Sequence, residues 1–257
     1  WRATRTGFDI VHSHENTWHG NVQTVHVLPV KYTLFAGKCG AALALRWLKV
    51  LTSPRLLTYL WLEKRRYAWA LKKKVVCTSS SLKGVLEVAY PASVSMLEVV
   101  TPGVDAGPGG ASAEAREQAR RKLGLPIGAM LLLFVGNDLV KKGLPTLLQA
   151  LELMPEQVHL AVVGQGEAMR MLQTQVERQG LSARVHFLGS QRDMGVAYRA
   201  ADALVHPTLE DSYGMVVLEA MAHGLPVVVS DVPYCGIAKD LSDCENALIL
   251  EDPRDAT

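Results

Sequence analysis

His206-Pro-Thr-Leu-Glu210-Asp211-Ser-Tyr-Gly214-Met-Val-Val-Leu-Glu219-Ala-Met-Ala-His-Gly224-Leu-Pro226-Val reads as one repeat of an α/β fold. An apolar run, Ala203 to His206, ends in a loop carrying two adjacent carboxylates. Gly214 opens a helical stretch, Met215 to His223, Gly224 closes it, and Pro226 leads into the next run, Val227 to Ser230. The same alternation extends upstream. Met130 to Val135, Val158 to Val163 and Val185 to Leu188 are apolar runs of strand length, and helical patterns fall near Leu144 to Leu153, Glu167 to Gln179 and Met194 to Ala201. Continuous apolar strands joined by helices long enough for crossovers predict a doubly wound parallel sheet. Ligands of such sheets bind beyond the carboxyl ends of the strands, so those loops carry the functional signal.

The first half repeats the alternation less regularly. Phe8 to Val11, Val22 to Val27, Val75 to Thr78 and Met96 to Val100 read as strands, and Ser79-Ser80-Ser81 supplies starting residues for a helix over Leu82 to Ala89. Thr101 to Ala113 holds Pro102, Gly103, Gly107, Pro108, Gly109 and Gly110, a density of breakers that marks a linker. The expected organisation is two domains, 1–103 and 104–257, both α/β.

The chain has 257 residues, 49% of them hydrophobic and 20% charged, which suffices for sizeable cores and excludes general disorder. Cys39, Cys77, Cys235 and Cys244 form no Cys-x-x-Cys pair, so they read as reduced thiols of a cytoplasmic protein. No window of 18 apolar residues exists to span a membrane. A start at Trp1 and a stop just after Asp252-Pro253 read as cut ends, leaving the first domain incomplete and the second without its last helices.

The net charge of +2 hides an asymmetry. Lys31 to Lys74 contains 11 Lys or Arg and one acid, Glu63, interleaved with Leu43, Leu45, Trp47, Leu48, Leu51, Leu57, Tyr59, Leu60, Trp61 and Leu62. This pattern suits a pair of helices, the second opened by Pro54, with an anionic membrane surface as partner. No nucleic-acid motif accompanies the charge.

Three loops carry chemistry. Gly136-Asn137-Asp138 leads to Lys141-Lys142-Gly143, two ammonium groups just ahead of a helix, suited to an anionic group. Gly164-Gln-Gly166 ends a strand but lacks the third glycine of a dinucleotide fingerprint, since Met169 occupies that position. It reads as a tight turn or a close backbone approach. Beyond Gly214 the first helical N–H groups have no intrahelical partner and offer a site for phosphate oxygens. Asp211 and Glu219 stand eight positions apart, about 12 Å on an ideal helix, so both could reach one ligand. Glu219 lies between Leu218 and Ala220 on a largely apolar helix, where a carboxylate needs partners.

Asp211-Ser-Tyr-Gly-Met-Val-Val-Leu-Glu219 resembles the Glu-x7-Glu motif of the retaining glycosyltransferases of family 4, also called group 1. Val-Val-Gly164, Val185-His-Phe-Leu-Gly189, Ala201-Asp202, His206-Pro207 and Gly224-Leu-Pro226-Val-Val follow in the same order, so the resemblance covers Thr101 to Asp252 well and Phe8 to Val100 loosely. Gly136-Asn-Asp, Lys141-Lys142-Gly143 and Cys235-Gly236 look most like the bacterial members that glucosylate inner-core heptose of lipopolysaccharide. The resemblance implies two Rossmann-like domains of the B-type glycosyltransferase fold with an active site in the cleft between them. It implies a nucleotide-diphosphate sugar as donor substrate, no cofactor and no metal. Lys141 and Lys142 would neutralise the diphosphate, Glu219 would hold the ribose, Asp211 the donor sugar, and Gly214, Met215 and Val216 would offer backbone donors. Gly136, Gly164, Ser212 and Tyr213 complete the implied donor site, and His26 matches a first-domain histidine facing the donor sugar. The family usually has Glu where Asp211 stands, and Glu210 is the adjacent candidate.

The expected activity is retaining transfer of a glucose-like hexose to a glycan or glycolipid of the cell envelope, at the cytoplasmic membrane face. Retention without an obvious carboxylate nucleophile suggests front-face attack, unlike the paired-carboxylate route of glycosidases. A nucleotide-sugar epimerase of similar fold and a non-catalytic nucleotide-sugar or membrane binder are the alternatives. His12, His14 and His19 lack zinc-ligand spacing, His12-Ser-His14-Glu15 reads as cleft lining, and Ser79 to Ser81 lack a hydrolase elbow.

Overall fold

The computed structural model describes residues 7–14, 17, 19–105, 107 and 109–257. Glu15 and Pro108, read above as cleft lining and linker, lie outside the described residues. The chain divides after Pro102 into two compact units.

The unit up to Pro102 holds a four-stranded parallel sheet in the order β1(His12–His14), β2(Val22–Val25), β3(Lys74–Cys77), β4(Leu97–Val99). Phe8 to Val11 is not a strand. Pairing begins at His12 opposite Val22, the first residue of β2, and Phe8 and Ile10 are 64% and 67% exposed. The basic stretch forms three helices rather than a pair: α1(Val30–Phe35), α2(Gly40–Leu51) and α3(Pro54–Arg66). Pro54 does open α3, with Ser53 Oγ accepting from Leu56 N at 3.4 Å. α4(Ser80–Ala89) is capped by Ser79, which accepts from Leu82 N at 3.1 Å. Val25, Val75, Cys77, Leu82, Leu86 and Leu97 form the core of this unit.

The unit from Gly103 opens with α5(Ala113–Leu123), which no apolar run announced. Its tie is polar. Arg120, 3% exposed, donates to Asp202 Oδ2 at 2.6 Å and to the carbonyls of Ala200, Ile127 and Ala129. A buried guanidinium so fully paired holds this helix in place of a wide apolar face. There follow β5(Met130–Val135), α6(Leu144–Leu153), β6(Val158–Val163), α7(Met169–Arg178), β7(Val185–Gly189), α8(Met194–Ala200), β8(Ala203–His206), α9(Met215–Ala222), β9(Val227–Ser230) and β10(Leu248–Leu250). β10 too was unannounced, being three residues long and only partly buried.

All six strands are parallel, in the order β10-β9-β8-β5-β6-β7. Side chains alternate between two cores. Leu131, Leu133, Ala161, Val163, Leu204 and Val227 face one, with α8 and α9; Leu132, Phe134, Leu160, Val162 and Val205 face the other, with α6 and α7. The chain winds from β5 outward through β6 to β7, then returns to place β8 on the other side of β5. That reversal puts the loops after β5 and β8 side by side, the crevice where doubly wound sheets take ligands.

Candidate functional site

Two turns converge on this crevice. After β5, Asp138 Oδ1 accepts from Lys141 N at 3.1 Å, folding Lys141-Lys142-Gly143 into a turn ahead of α6. Gly143 has φ +84°, and a Cβ there would lie 1.9 Å from the carbonyl oxygen of Pro207. Only glycine permits this approach, and Leu209 N then donates to Lys141 O at 2.9 Å. At Gly136 a Cβ would meet Lys142 Cγ at 2.9 Å, so the bare backbone leaves room for that side chain.

The lysines meet the two carboxylates of the β8 loop. Lys141 Nζ lies 2.7 Å from Glu210 Oε1, with both side chains well exposed. Lys142 Nζ, more enclosed, lies 2.5 Å from Asp211 Oδ2 and donates to Glu210 O at 3.2 Å. Asp211 Oδ2 also accepts from His206 Nε2 at 3.2 Å, and Oδ1 accepts from Tyr213 N at 3.2 Å. Burial alone would raise the Asp211 carboxyl. The hydrogen bond from His206 and the charge of Lys142 overcome it and hold the group well below the usual carboxylate range. Burial dominates at His206 and lowers its pKa, so the ring is neutral and donates through Nε2–H.

Asp211 is fixed through its backbone as well. Its N donates to Tyr234 O at 2.7 Å and its O accepts from Gly236 N at 3.1 Å, a bridge to Cys235. The eight-position spacing to Glu219 is therefore not a helical span, because Asp211, Ser212 and Tyr213 are loop and the helix begins only at Met215. Gly214 caps α9 without a side-chain bond, so Met215 and Val216 present the first N–H groups of the helix. Cys235 Sγ underlies this cap, 2.9 Å from where a Gly214 Cβ would stand.

Glu219 is half-buried on α9, and its Oε2 accepts from Tyr198 OH at 2.6 Å. Tyr198 is 1% exposed and its hydroxyl is pushed up by burial and then by Glu219, so it stays protonated and donates. The apolar helix thus holds a carboxylate with one oxygen oriented by a partner from α8. Gly164, with φ +133°, closes against Gly136: a Cβ would lie 1.8 Å from Gly136 O. The space a side chain would take at Gly164 is filled by backbone.

Lys141, Lys142, Gly136, Asp211, Tyr213 and Gly214 are therefore gathered at the ends of β5 and β8, with Ser212, Met215 and Val216 in the same segment. Glu219 follows on α9. His26 belongs to the other unit, just past β2, where its Nε2 lies 3.1 Å from His14 Nδ1 and the two rings stack. His12 Nε2 contacts Thr24 Oγ1 at 2.7 Å, and among the described residues no group of three His, Cys, Asp or Glu is disposed to hold a metal. Sequence reading missed His206 and Tyr198 as parts of the site. His206 carried a signal, a lone polar residue closing the apolar strand Ala-Leu-Val-His; Tyr198 carried none, because only α8–α9 packing brings it to Glu219.

Residues 115–257 match the family model described as glycosyl transferases group 1. A D-inositol 3-phosphate glycosyltransferase of Xylanimonas cellulosilytica is 39% identical over 172 residues, 63% of this chain and 41% of that protein. Lipopolysaccharide glucosyltransferase WaaG of Escherichia coli is 35% identical over 143 residues, 54% of this chain and 37% of that protein. A crystal structure of WaaG, a glycosyltransferase involved in lipopolysaccharide biosynthesis, superposes with TM-score 0.76 at 25% identity, covering 95% of this chain and 64% of that one. The chain thus spans 37–41% of the length of these two relatives.

Proposed function

The chain belongs to the group 1 glycosyl transferases, and on that premise we propose that it transfers a hexose from a nucleoside-diphosphate sugar to a glycan or glycolipid, with retention at the anomeric carbon. The observation that carries this reading is the meeting of Lys142, Asp211 and the Gly214 helix start at the reversal of the strand order. Breaking the anomeric bond leaves an anionic diphosphate. Lys141, Lys142 and the N–H groups of Met215 and Val216 stabilise that charge by preorganised electrostatics, which lowers the barrier. Glu219, oriented by Tyr198, takes the ribose hydroxyls, and Asp211 takes the donor-sugar hydroxyls. An Asp211 carboxylate held this strongly in its ionised form is a good hydrogen-bond acceptor and a weak nucleophile, which favours front-face attack over a covalent intermediate. His26 is proposed as the first unit's contribution to the reaction.

Calorimetric titration against UDP-glucose, UDP-galactose, UDP-N-acetylglucosamine and GDP-mannose tests donor binding, and product analysis with an acceptor tests transfer. One donor should bind well above the others and be consumed only with acceptor present. Epimerised donor without transfer would point to an epimerase, and no binding by any donor would end the reading.

Membrane contact is proposed for the face formed by α2 and α3. Leu45, Trp47, Leu48, Leu51, Leu57 and Trp61 are all more than 40% exposed there, among Arg46, Lys49, Arg55, Lys64 and Arg65. The stretch's single acid does not offset them, because Glu63 accepts from Lys31 N, Val30 N and Tyr90 OH inside the unit. No described helix is long and apolar enough to cross a membrane. Co-sedimentation should recover the protein with vesicles containing phosphatidylglycerol and not with pure phosphatidylcholine, and 0.5 M salt should weaken the binding. Equal binding to both vesicle types would contradict the proposal.

A further inference from the structure

His206 has no place in the reaction described so far, and its surroundings are unusual. It ends β8 after Ala203, Leu204 and Val205, is 1% exposed, and its Nδ1 has no hydrogen-bond partner. An orphaned buried nitrogen is a cost that a leucine of similar volume would not carry. The other ring nitrogen explains the choice. Nε2 faces Asp211 Oδ2 at 3.2 Å. With Nδ1 bare, the proton sits on Nε2, and the opposite tautomer would set two lone pairs against each other beside a carboxylate.

Lys142 makes this second donor necessary. An ammonium has three N–H bonds. One goes to Asp211 Oδ2 and one to Glu210 O, which leaves one for a ligand phosphate. Two phosphates drawing on that ammonium compete directly with Asp211 for it. If Lys142 alone held Asp211, the carboxylate would shift each time the donor bound. Nε2–H of His206 on Oδ2 and N–H of Tyr213 on Oδ1 do not take part in that competition, and of the two only His206 arises from a strand. His206 O is itself tied to Ser230 Oγ at 3.4 Å, and its strand pairs with β9.

We propose that His206 is a positioning residue that holds Asp211 in register for the donor sugar while Lys142 turns to the diphosphate. It touches neither substrate nor reacting atoms and acts through Asp211. The inference rests on the reading of Asp211 as the ligand of the donor-sugar hydroxyls. It also accounts for the aspartate where the resemblance leads one to expect glutamate: the shorter carboxylate sits back at the strand end, within reach of the ring.

The test separates sugar from nucleotide. His206→Leu fills the space and removes the N–H; His206→Gln restores an N–H near the position of Nε2. Affinity is measured for the best-bound nucleotide sugar of the panel above and for its bare nucleoside diphosphate. His206→Leu should weaken the nucleotide sugar about tenfold, the worth of one hydrogen bond to a charged group, and change the bare diphosphate less than twofold. Its melting temperature should change little, because the donor lost at Asp211 is offset by removal of the orphaned nitrogen, and Asp211 keeps Lys142 and the Tyr213 N–H. His206→Gln should recover most of the sugar-dependent affinity. If His206→Leu does not fold, His206→Met supplies the apolar comparison. Equal sugar-dependent affinity in the apolar variant and the wild type would overturn the proposal. So would parallel loss of both ligands and of thermal stability, with Gln no better than Leu. Wild-type protein that binds no nucleotide sugar would overturn the functional reading beneath it, a distinct result.

Discussion

Replacing Lys142 by alanine should lower turnover about 10²–10³-fold, the usual cost of removing one preorganised donor from a developing oxyanion. The loss has two parts. The leaving diphosphate forfeits an ammonium group, and Asp211 forfeits a partner 2.5 Å away that, with His206, keeps it ionised in a mostly enclosed site. In the wild type the depressed Asp211 carboxyl contributes stability that is present above its ordinary pKa and fades as the pH falls below it. The variant should lose the Lys142 share of that contribution and melt lower at neutral pH. Lys141→Ala is the internal comparison. Lys141 and Glu210 are 43% and 35% exposed, so their pair is worth less than about 1 kcal/mol, and turnover should fall only about tenfold by loss of a screened charge. Steady-state transfer assays of both variants check the order, and equal effects would mean that Lys142 holds no special position.

Gly164→Ala should destabilise the fold by about 3 kcal/mol or more, or roughly 6–12 °C in melting temperature for a chain of this size. Two costs coincide. A non-glycine residue at φ +133° is strained, and the added Cβ would stand 1.8 Å from a backbone oxygen, that of Gly136, which cannot rotate away as a side chain could. Gly136 N is itself bonded to Val163 O at 3.0 Å and Gly164 N to Gly189 O at 3.0 Å, so the strand ends must part to relieve the contact. Gly180→Ala isolates the conformational cost, since Gly180 has φ +70° but nothing within 4 Å of a Cβ. It should cost about 1–2 kcal/mol. Thermal unfolding of both variants gives the difference. Displacement of the 136–143 loop in Gly164→Ala should also weaken donor binding, because that loop carries both lysines.

Where packing follows hydrophobic periodicity, the sequence was readable to the residue. β5, β6, β8 and β9 occupy the predicted runs, because a central parallel strand must be apolar on both faces and turn residues bound it sharply. Where polar tethers or edge positions decide, it was not. α5 is held by Arg120 and Asp202, 82 residues apart, and β10 is a three-residue strand at a sheet edge that is only partly buried. Phe8 to Val11 shows the converse failure, an apolar run left largely exposed because ladder pairing with β2 begins only at His12.

The candidate site divides along the same line. Lys141, Lys142, Asp211, Gly214 and Glu219 were visible because each sits at a strand end or helix start, features written locally by glycines and apolar runs. Their pairing was not visible. Lys142 and Asp211 are 69 positions apart, His206 lies beneath the carboxylate, and Tyr198 reaches Glu219 across a helix interface.

Sequence alone determined the alternation of strands and helices, the family, and which short segments end at the ligand-bearing edge, since these depend on local pattern and side-chain type. The order of strands in the sheet was decided only by tertiary structure. That order places β8 beside β5 and so sets the two lysines against the two carboxylates. Hydrophobicity along the chain specifies that strands are buried but not which neighbours they choose, and neighbours are what long-range packing selects.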